Sequence, residues 1–294
     1  MGLNLKWNYK KRTLETSADG YVKNALHHLQ HPPPTKPQHA PAKAKPIQYG
    51  AKIQTNTVDN SKPLCGKGIK RIQKAVGTFI WYGNATDPTM ARTLSSIANR
   101  QDKATEQLKA ETEWFLDYCH THPDARVRFV ASDMILTLHS DCSFNSEPGS
   151  KSRAAGHWYL SKKDNHNLSN GAIMTLSKII KYVMSSAGEG EAASSYMNAR
   201  AALPLRIALE EMGHPQPQTP VIMDNTSAIG LAKSTMRPKR SKAYDMRVNW
   251  MKCREAQKHF KLIWEPGKGN LADYHSKIHT SREYQNKRKD FVQN

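Results

Sequence analysis

Apolar residues in the first part of the chain recur at the three-to-four spacing of amphipathic helices. Ile69, Ile72, Val76, Phe79 and Ile80 form one such stripe, and Thr89 to Asn99 and Glu106 to His120 continue it. Nearer the N-terminus, GYVKNALHHLQ reads as a short helix and NLKWNY before it as a strand. From about Ala131 the period falls to two. Strands are expected over Met134 to Cys142, Ala155 to Ser161 and Ala172 to Ser177, with a hairpin-like GSKSR before the second. A helix from about Ser186 to Met212 follows, which Pro204 should kink or split. After it come a strand PVIMD, a short helix opened by NTSAIGLA, a basic helix from about Ser241 to Gln257, a strand FKLIWEP and a last short helix. The order β-β-β-α-β-α-β-α predicts an α/β domain: a mixed five-stranded sheet with flanking helices, preceded by a mostly helical region.

Proline marks the main break. PPPTKPQHAPAKAKP, Pro32 to Pro46, holds six prolines and no apolar periodicity, so an extended connector is expected there. The predicted organisation is a strand and helix over 1–31, a linker over 32–62, a helical region over 63–130, the α/β domain over 131–282 and a basic C-terminal tail over 283–294.

Charge then narrows the function. The 294 residues carry 44 Lys and Arg against 25 Asp and Glu, a formal net charge of +19. That excess points to a polyanionic partner, and nucleic acid fits better than membrane. No apolar run approaches the roughly 18 residues of a spanning helix, and MGLNLKWNYKKR lacks the apolar core of a secretory signal. Cys65, Cys119, Cys142 and Cys253 are scattered and match neither a disulfide framework nor a zinc spacing, which suits a reducing, intracellular compartment. The adjacent His27 and His28 cannot share a helical face and read as solvated surface.

The acids are the candidate chemistry. Asp141 sits near the end of the alternating run MILTLHSDC, where an ionised carboxylate is costly unless paired or metal-bound. Asp224 ends PVIMD, Glu189 lies near the start of the long helix in SSAGEGEAASSY, and Asp273 near the start of the last one in GNLADYHSK. If the first and fourth strands are neighbours, all four converge. Such a cluster is tolerable with divalent cations bound, and hard oxygen ligands favour magnesium or manganese. Two such ions serve in-line displacement at a phosphodiester. Glu191 is two residues beyond Glu189 and points elsewhere on a regular helix, so Glu189 is the expected ligand and Glu191 the alternative. A strand transferase of the integrase kind would need its Glu late in the chain, whereas here it is second of four acids.

HSDCSF, SSAGEGEA, MDNTSAIGLA, RSKAYDMR and NLADYHSK, in that order, closely resemble the ribonuclease H domain of copia-type LTR retrotransposon Pol polyproteins, whose patterns read approximately HSDADW, SSTEAEY, DNQSAI, RTKHIDIR and QLADILTK. GYVKNALHHLQ, the proline-rich stretch and IQKAVGTFIWYGNATDPTM resemble the thumb or connection end of the reverse transcriptase that precedes this domain. The resemblance implies a ribonuclease H-like fold and hydrolysis of the RNA strand of RNA–DNA hybrids with two Mg2+ ions, Mn2+ substituting. It carries the metal-binding and catalytic roles to Asp141, Glu189, Asp224 and Asp273. It also implies a cytoplasmic setting, including virus-like particles, and the missing reverse-transcriptase portion as a partner. The chain holds no YxDD-like turn, so no DNA synthesis is expected of it. A catalytically inactive nucleic-acid-binding remnant is the alternative.

Accessory residues follow from position. His275, two past Asp273, is either a proton-moving group or an ordinary exposed helical histidine. Ser143 and Asn225 each follow a metal acid and could orient it or bind the substrate backbone. His139 reads as structural, and Trp158, Tyr159 and Trp250 as core. Arg237 to Lys261 hold nine Lys or Arg against Asp245 and Glu255, and Arg237, Lys239, Arg240 and Lys242 are the leading phosphate contacts.

Overall fold

The computed structural model describes residues 2–44, 59–166, 170–226, 229–230 and 242–293, with side chains in the last stretch from Met246 onward. These residues form two compact units, one running up to Ala131 and resuming at Ile278, the other comprising Ser132–Lys277. Among the described residues no helix is long and apolar enough to cross a membrane.

In the first unit, strands β1 (Asn4–Asn8), β2 (Thr13–Ser17) and β3 (Val127–Val130) make an antiparallel sheet in that order. Helices α1 (Tyr21–His28), α2 (Gly66–Ala85), α3 (Ala91–Ala98) and α4 (Glu106–Thr121) follow the expected apolar stripes. In α2 the buried residues Ile72, Ala75, Val76 and Phe79 keep helical spacing, and Phe79 meets Phe115 of α4 edge to face at 5.6 Å. The expectation of helices alone after the first strand is corrected by β2 and β3. Their register pairs Leu14 with Phe129, a contact too distant in sequence and too short in length for a periodicity to reveal. The proline-rich segment has no helix or strand through residue 44, yet it does not hang free: the Ala40 carbonyl accepts from Trp114 Nε1 at 2.9 Å and Lys43 lies over the same ring.

The second unit holds a five-stranded sheet of order β6-β5-β4-β7-β8. Its strands are β4 (Ile135–Glu147), β5 (Lys151–Ser161), β6 (Met174–Val183), β7 (Thr219–Met223) and β8 (Phe260–Trp264). The first three are antiparallel neighbours, while β4 pairs β7 and β7 pairs β8 in parallel. One face is covered by α5 (Ala187–Glu211) and α6 (Lys242–Ala256), whose Ala199, Ala202, Leu209, Val248 and Met251 bury against Leu136, Leu138, Trp158, Val221 and Leu262. The short α7 (Asp273–Ser276) packs on β4, β5 and β6. Alternation along β4 sends Leu136, Leu138 and Ser140 toward α5, and His139 and Asp141 toward α7.

Three local features set how closely α5 approaches the sheet. Asn198 Nδ2 donates to the Ala155 carbonyl at 2.8 Å, and its Oδ1 accepts from Trp158 Nε1 at 3.0 Å. A Cβ at Gly156 would lie 1.7 Å from that Oδ1, and one at Gly190 would lie 2.7 Å from Cys142 Sγ. Gly190 is therefore a packing requirement at the start of α5. Pro204 does not split the helix, which runs unbroken across it. It is exposed, as is Arg200, so the missing N–H and the released carbonyl both face water.

Residues 283–294, expected as a basic tail, instead begin within α8 (Ser281–Arg288), which belongs to the first unit. Thr280 and Glu283 close a reciprocal capping box at its start. At its end Arg288 is 5% exposed and forks onto the fully buried Asp87, with N···O distances of 3.0 and 3.1 Å. The tail is structural because this arginine is an internal counter-ion.

Candidate active site

Asp141 lies on the central strand just before a bulge: the register with β5 slips between Ser143 and Glu147, and Asn145 takes a φ of 51°. Asp224 follows the last residue of β7, the parallel neighbour of β4, so the two carboxylates share the sheet's rim. The expectation that the first and fourth strands adjoin is met by the pairs Leu138–Val221 and His139–Ile222.

The third acid is Glu191, from the first turns of α5. Oxygens of Asp141, Glu191 and Asp224 all lie within 4.8 Å of one another. Glu191 Oε1 accepts from the Cys142 N–H at 3.1 Å, while its Oε2 is buried with no hydrogen-bond partner among the described residues. Glu189, the expected ligand, is not in this group. Ser186 caps the helix, its hydroxyl accepting from the Glu189 N–H, and the Glu189 carboxylate turns back to accept from Ser185 N and Oγ, both at 2.7 Å. The helix N-terminus claims Glu189, and two residues further on the chain faces the sheet. The S-x-x-E pattern of Ser186 and Glu189 is the signal that reveals this in sequence.

Asp273 stands beside the group without entering it. Its carboxylate pairs with the Lys277 ammonium one helical turn on, and the same Nζ lies 3.9 Å from Asp141 Oδ2. The Ser276 hydroxyl donates to that same Oδ2. Neither Ser276 nor Lys277 figured among the sequence-derived residues, although both close the NLADYHSK motif. Asn270 holds this segment against the strand, donating from Nδ2 to the Ser140 carbonyl at 2.9 Å. Gly267 lies against Asp224, where a Cβ would come within 2.5 Å of Oδ2 and displace that carboxylate.

Electrostatics follow from burial. Asp141 is 2% exposed, and that burial raises its pKa; Lys277 and Ser276 pull it back, and Asp273 and Asp224 add to the rise. Glu191 is pushed up to about 9, first by burial and then by the two aspartates. Lys277 is raised as well, its acidic neighbours outweighing its desolvation.

The accessory residues divide. His275 is neither exposed nor at the acids: it is fully buried, stacked nearly parallel on His157 at 5.5 Å, with its carbonyl accepting from Ser177 Oγ. Asp273, Ser276 and Lys277 share one side of this turn at the helical spacing, and His275 lies off it against His157. Asn225 is half-buried, and its carbonyl accepts from Ile229 N at 3.3 Å; Ser143 is half-buried at the bulge, its carbonyl accepting from Ser146 Oγ. His139 is structural, its Nδ1 accepting from Leu271 N and its Nε2 meeting the Tyr159 hydroxyl at 3.0 Å. Trp158 and Tyr159 are fully buried, and Trp250 packs on the core. Arg237, Lys239 and Arg240 lie outside the described residues, as does the side chain of Lys242, the first residue of α6.

In this mixed five-stranded α/β sheet the central strand carries one acid, its parallel neighbour ends on a second and the first covering helix delivers a third. No family model matches the chain. The chain is 24% identical over 204 residues to the retrovirus-related Pol polyprotein from transposon TNT 1-94 of Nicotiana tabacum, a match covering 69% of this chain. It spans only 15% of that polyprotein's length. Among solved structures it is similar to the N-terminal RNase H domain of rv2228c from Mycobacterium tuberculosis, with a TM-score of 0.35 at 12% identity over 53% of this chain and 96% of that one. LC11-RNase H1 in complex with RNA/DNA hybrid gives 0.35 at 13% over 47% and 91%. RNase H1 from the archaeon Halobacterium salinarum NRC-1 gives 0.30 at 13% over 47% and 89%. The mixed five-stranded sheet and its acidic rim fit what the resemblance carried by HSDCSF and NLADYHSK implied.

Proposed function

We propose that this chain is a divalent-metal-dependent endonuclease that hydrolyses the RNA strand of RNA–DNA hybrids in retrotransposon reverse transcription. The observation that carries the proposal is the meeting of Asp141, Glu191 and Asp224 within 4.8 Å from three separate elements. The donor set fits a hard cation. All three offer carboxylate oxygens, burial raises the pKa of Asp141 and Glu191, and Glu191 Oε2 has been taken out of water with no donor to meet it among the described residues. Asp141, Glu191 and Asp224 would hold magnesium, with manganese as a substitute and Asp273 as the fourth acid. A bound pair of such ions supplies charge neutralisation at the phosphodiester and a water made nucleophilic near neutral pH.

The chain's own residues do the rest. The parallel pairing of β4 with β7 fixes Asp141 against Asp224, and the Cys142 N–H orients the Glu191 carboxyl. Ser276 holds Asp141 Oδ2 by a hydrogen bond. Basic residues between Arg237 and Lys261 would grip phosphates without reading bases, which suits an enzyme acting on any RNA sequence. Selection of RNA over DNA would rest on 2′-hydroxyl contacts in the minor groove of the hybrid. The remainder of the Pol polyprotein, reverse transcriptase included, is the proposed protein partner.

The test is cleavage of an end-labelled hybrid. Asp141→Asn and Asp224→Asn should abolish magnesium-dependent hydrolysis of the RNA strand while hybrid binding persists. A wild-type chain that binds hybrid but never cuts it in magnesium or manganese would instead be a nucleic-acid-binding remnant.

A further inference from the structure

Strand β1 is the edge of the three-stranded sheet, and every one of its residues is exposed. Large apolar side chains nevertheless alternate along it and just past both ends: Leu3, Leu5 at 55%, Trp7 at 57% and Tyr9 at 84% exposure. A stripe of this kind on a solvent-facing edge is a cost for the isolated unit and marks a surface made to be covered.

The geometry of the two rings says by what. Trp7 and Tyr9 lie nearly parallel, at 15°, with centroids 6.3 Å apart. Residues two apart on a strand repeat at roughly 6.6–6.8 Å, and stacked bases repeat at roughly 3.4 Å. Two parallel rings at this separation are therefore close to the spacing that admits one flat base between them. The charge beside them is of the matching sign. Lys6 alternates to the strand's other face, where it pairs in register with Glu15, while the cations next to Tyr9 in the chain are Lys10, Lys11 and Arg12. These three sit in the β1–β2 turn, held by Lys11 N donating to Asn8 Oδ1 at 2.9 Å and by Arg12 N donating to the Tyr9 carbonyl at 3.2 Å.

We propose that the β1 edge is a single-strand nucleic-acid platform, in which Trp7 and Tyr9 clasp a base and the turn cations hold the adjoining phosphates. Paired bases in a duplex are already stacked on one another, so the clasp selects an unpaired strand. Such a strand is what remains beside a hybrid once its partner ends or has been degraded. The platform is independent of the acidic rim, because its residues lie in the first unit and the acids in the second.

The experiment uses the full chain and fluorescence anisotropy with labelled oligodeoxythymidine, oligouridine and an abasic oligomer of equal length. Trp7→Ala and Tyr9→Ala should each weaken binding of the base-bearing oligomers by about tenfold, whereas Trp7→Phe should retain most of it. The abasic oligomer should bind the wild-type chain about as weakly as oligodeoxythymidine binds Trp7→Ala. Affinity for blunt hybrid and its magnesium-dependent cleavage should not change, which separates failure of this proposal from failure of the nuclease reading. Both substitutions are on an exposed edge strand, and unchanged circular dichroism checks that the chain folds. Equal binding of abasic and base-bearing oligomers by the wild type, or wild-type affinity in both alanine variants, overturns the proposal. So does a fall in sedimentation coefficient on Trp7→Ala with no change in oligomer binding, which would make the stripe an interface between copies of this chain.

Discussion

The Lys277 ammonium stands 3.9 Å from Asp141 Oδ2 while pairing with Asp273, so a fixed monovalent cation already sits among the acids. It screens them in the metal-free protein and competes with any ion that arrives. Replacing it by Met should act in opposite directions on the two states. The metal-free chain should lose thermal stability, because the acids then repel unscreened. Manganese should bind tighter, by about fivefold, the scale of a half-exposed ion pair. Calorimetric titration of Mn2+ into wild type and Lys277→Met measures the affinity change, thermal melting of the chelator-treated proteins measures the stability change, and weaker binding in the variant would show that the lysine assists the metal.

Glu189 and Glu191 differ by two positions and by environment, one turned back onto Ser185 in solvent and the other buried beside Asp141. Glu191→Gln should reduce hybrid cleavage by more than about 100-fold, since it removes a charge from the group itself and exceeds what supporting residues cost. Glu189→Gln removes a helix-end contact worth about 1 kcal/mol and should leave cleavage near wild type. Rates measured side by side in saturating magnesium decide between them. The reverse ranking would return the role to Glu189.

Glu191 also ties stability to pH. Its pKa is pushed up to about 9 in the folded, metal-free protein, against 4.5 for the free side chain. Across that window the folded state holds a proton that the unfolded state has released, so stability falls as pH rises. Asp141, also raised, acts in the same direction. His139, lowered to about 4 by burial, acts oppositely but only below its ordinary value of 6.5. Between pH 7 and 9 the melting temperature of the chelator-treated chain should therefore decline, and Glu191→Gln should decline less. Parallel curves would mean that Glu191 does not carry the proton.

Much of this was legible in the sequence because it depended on local pattern. The alternation of MILTLHSDC placed Asp141 on a strand, and Asp224 at the end of PVIMD needed only that β4 and β7 adjoin. The choice of Glu191 over Glu189 had a local signal in the S-x-x-E cap at Ser186, which the expectation of Glu189 passed over. Two things were not legible, each decided by contacts between distant residues. Lys277 became an ion-pair partner because Asn270 pins its segment to Ser140, 130 positions away. The buried stacking of His275 on His157 follows from the pitch of a four-residue helix, which no periodicity could show.

Arg288 makes the same point for the C-terminus and offers a direct test. Its guanidinium forks onto both oxygens of Asp87 and also donates to Thr89 Oγ1 and the Tyr118 hydroxyl, each at 2.6 Å. Asp87 is fully buried, so its charge is tolerable only with this partner in place. Arg288→Met should destabilise the first unit by about 3–5 kcal/mol, because it leaves a buried carboxylate uncompensated. Asp87→Asn combined with Arg288→Met should recover part of that loss, since neither charge then remains. Urea denaturation followed by tryptophan fluorescence measures the series. A single variant that loses less than about 1 kcal/mol, the ceiling for an exposed pair, would mean that the C-terminal helix is a solvated tail after all.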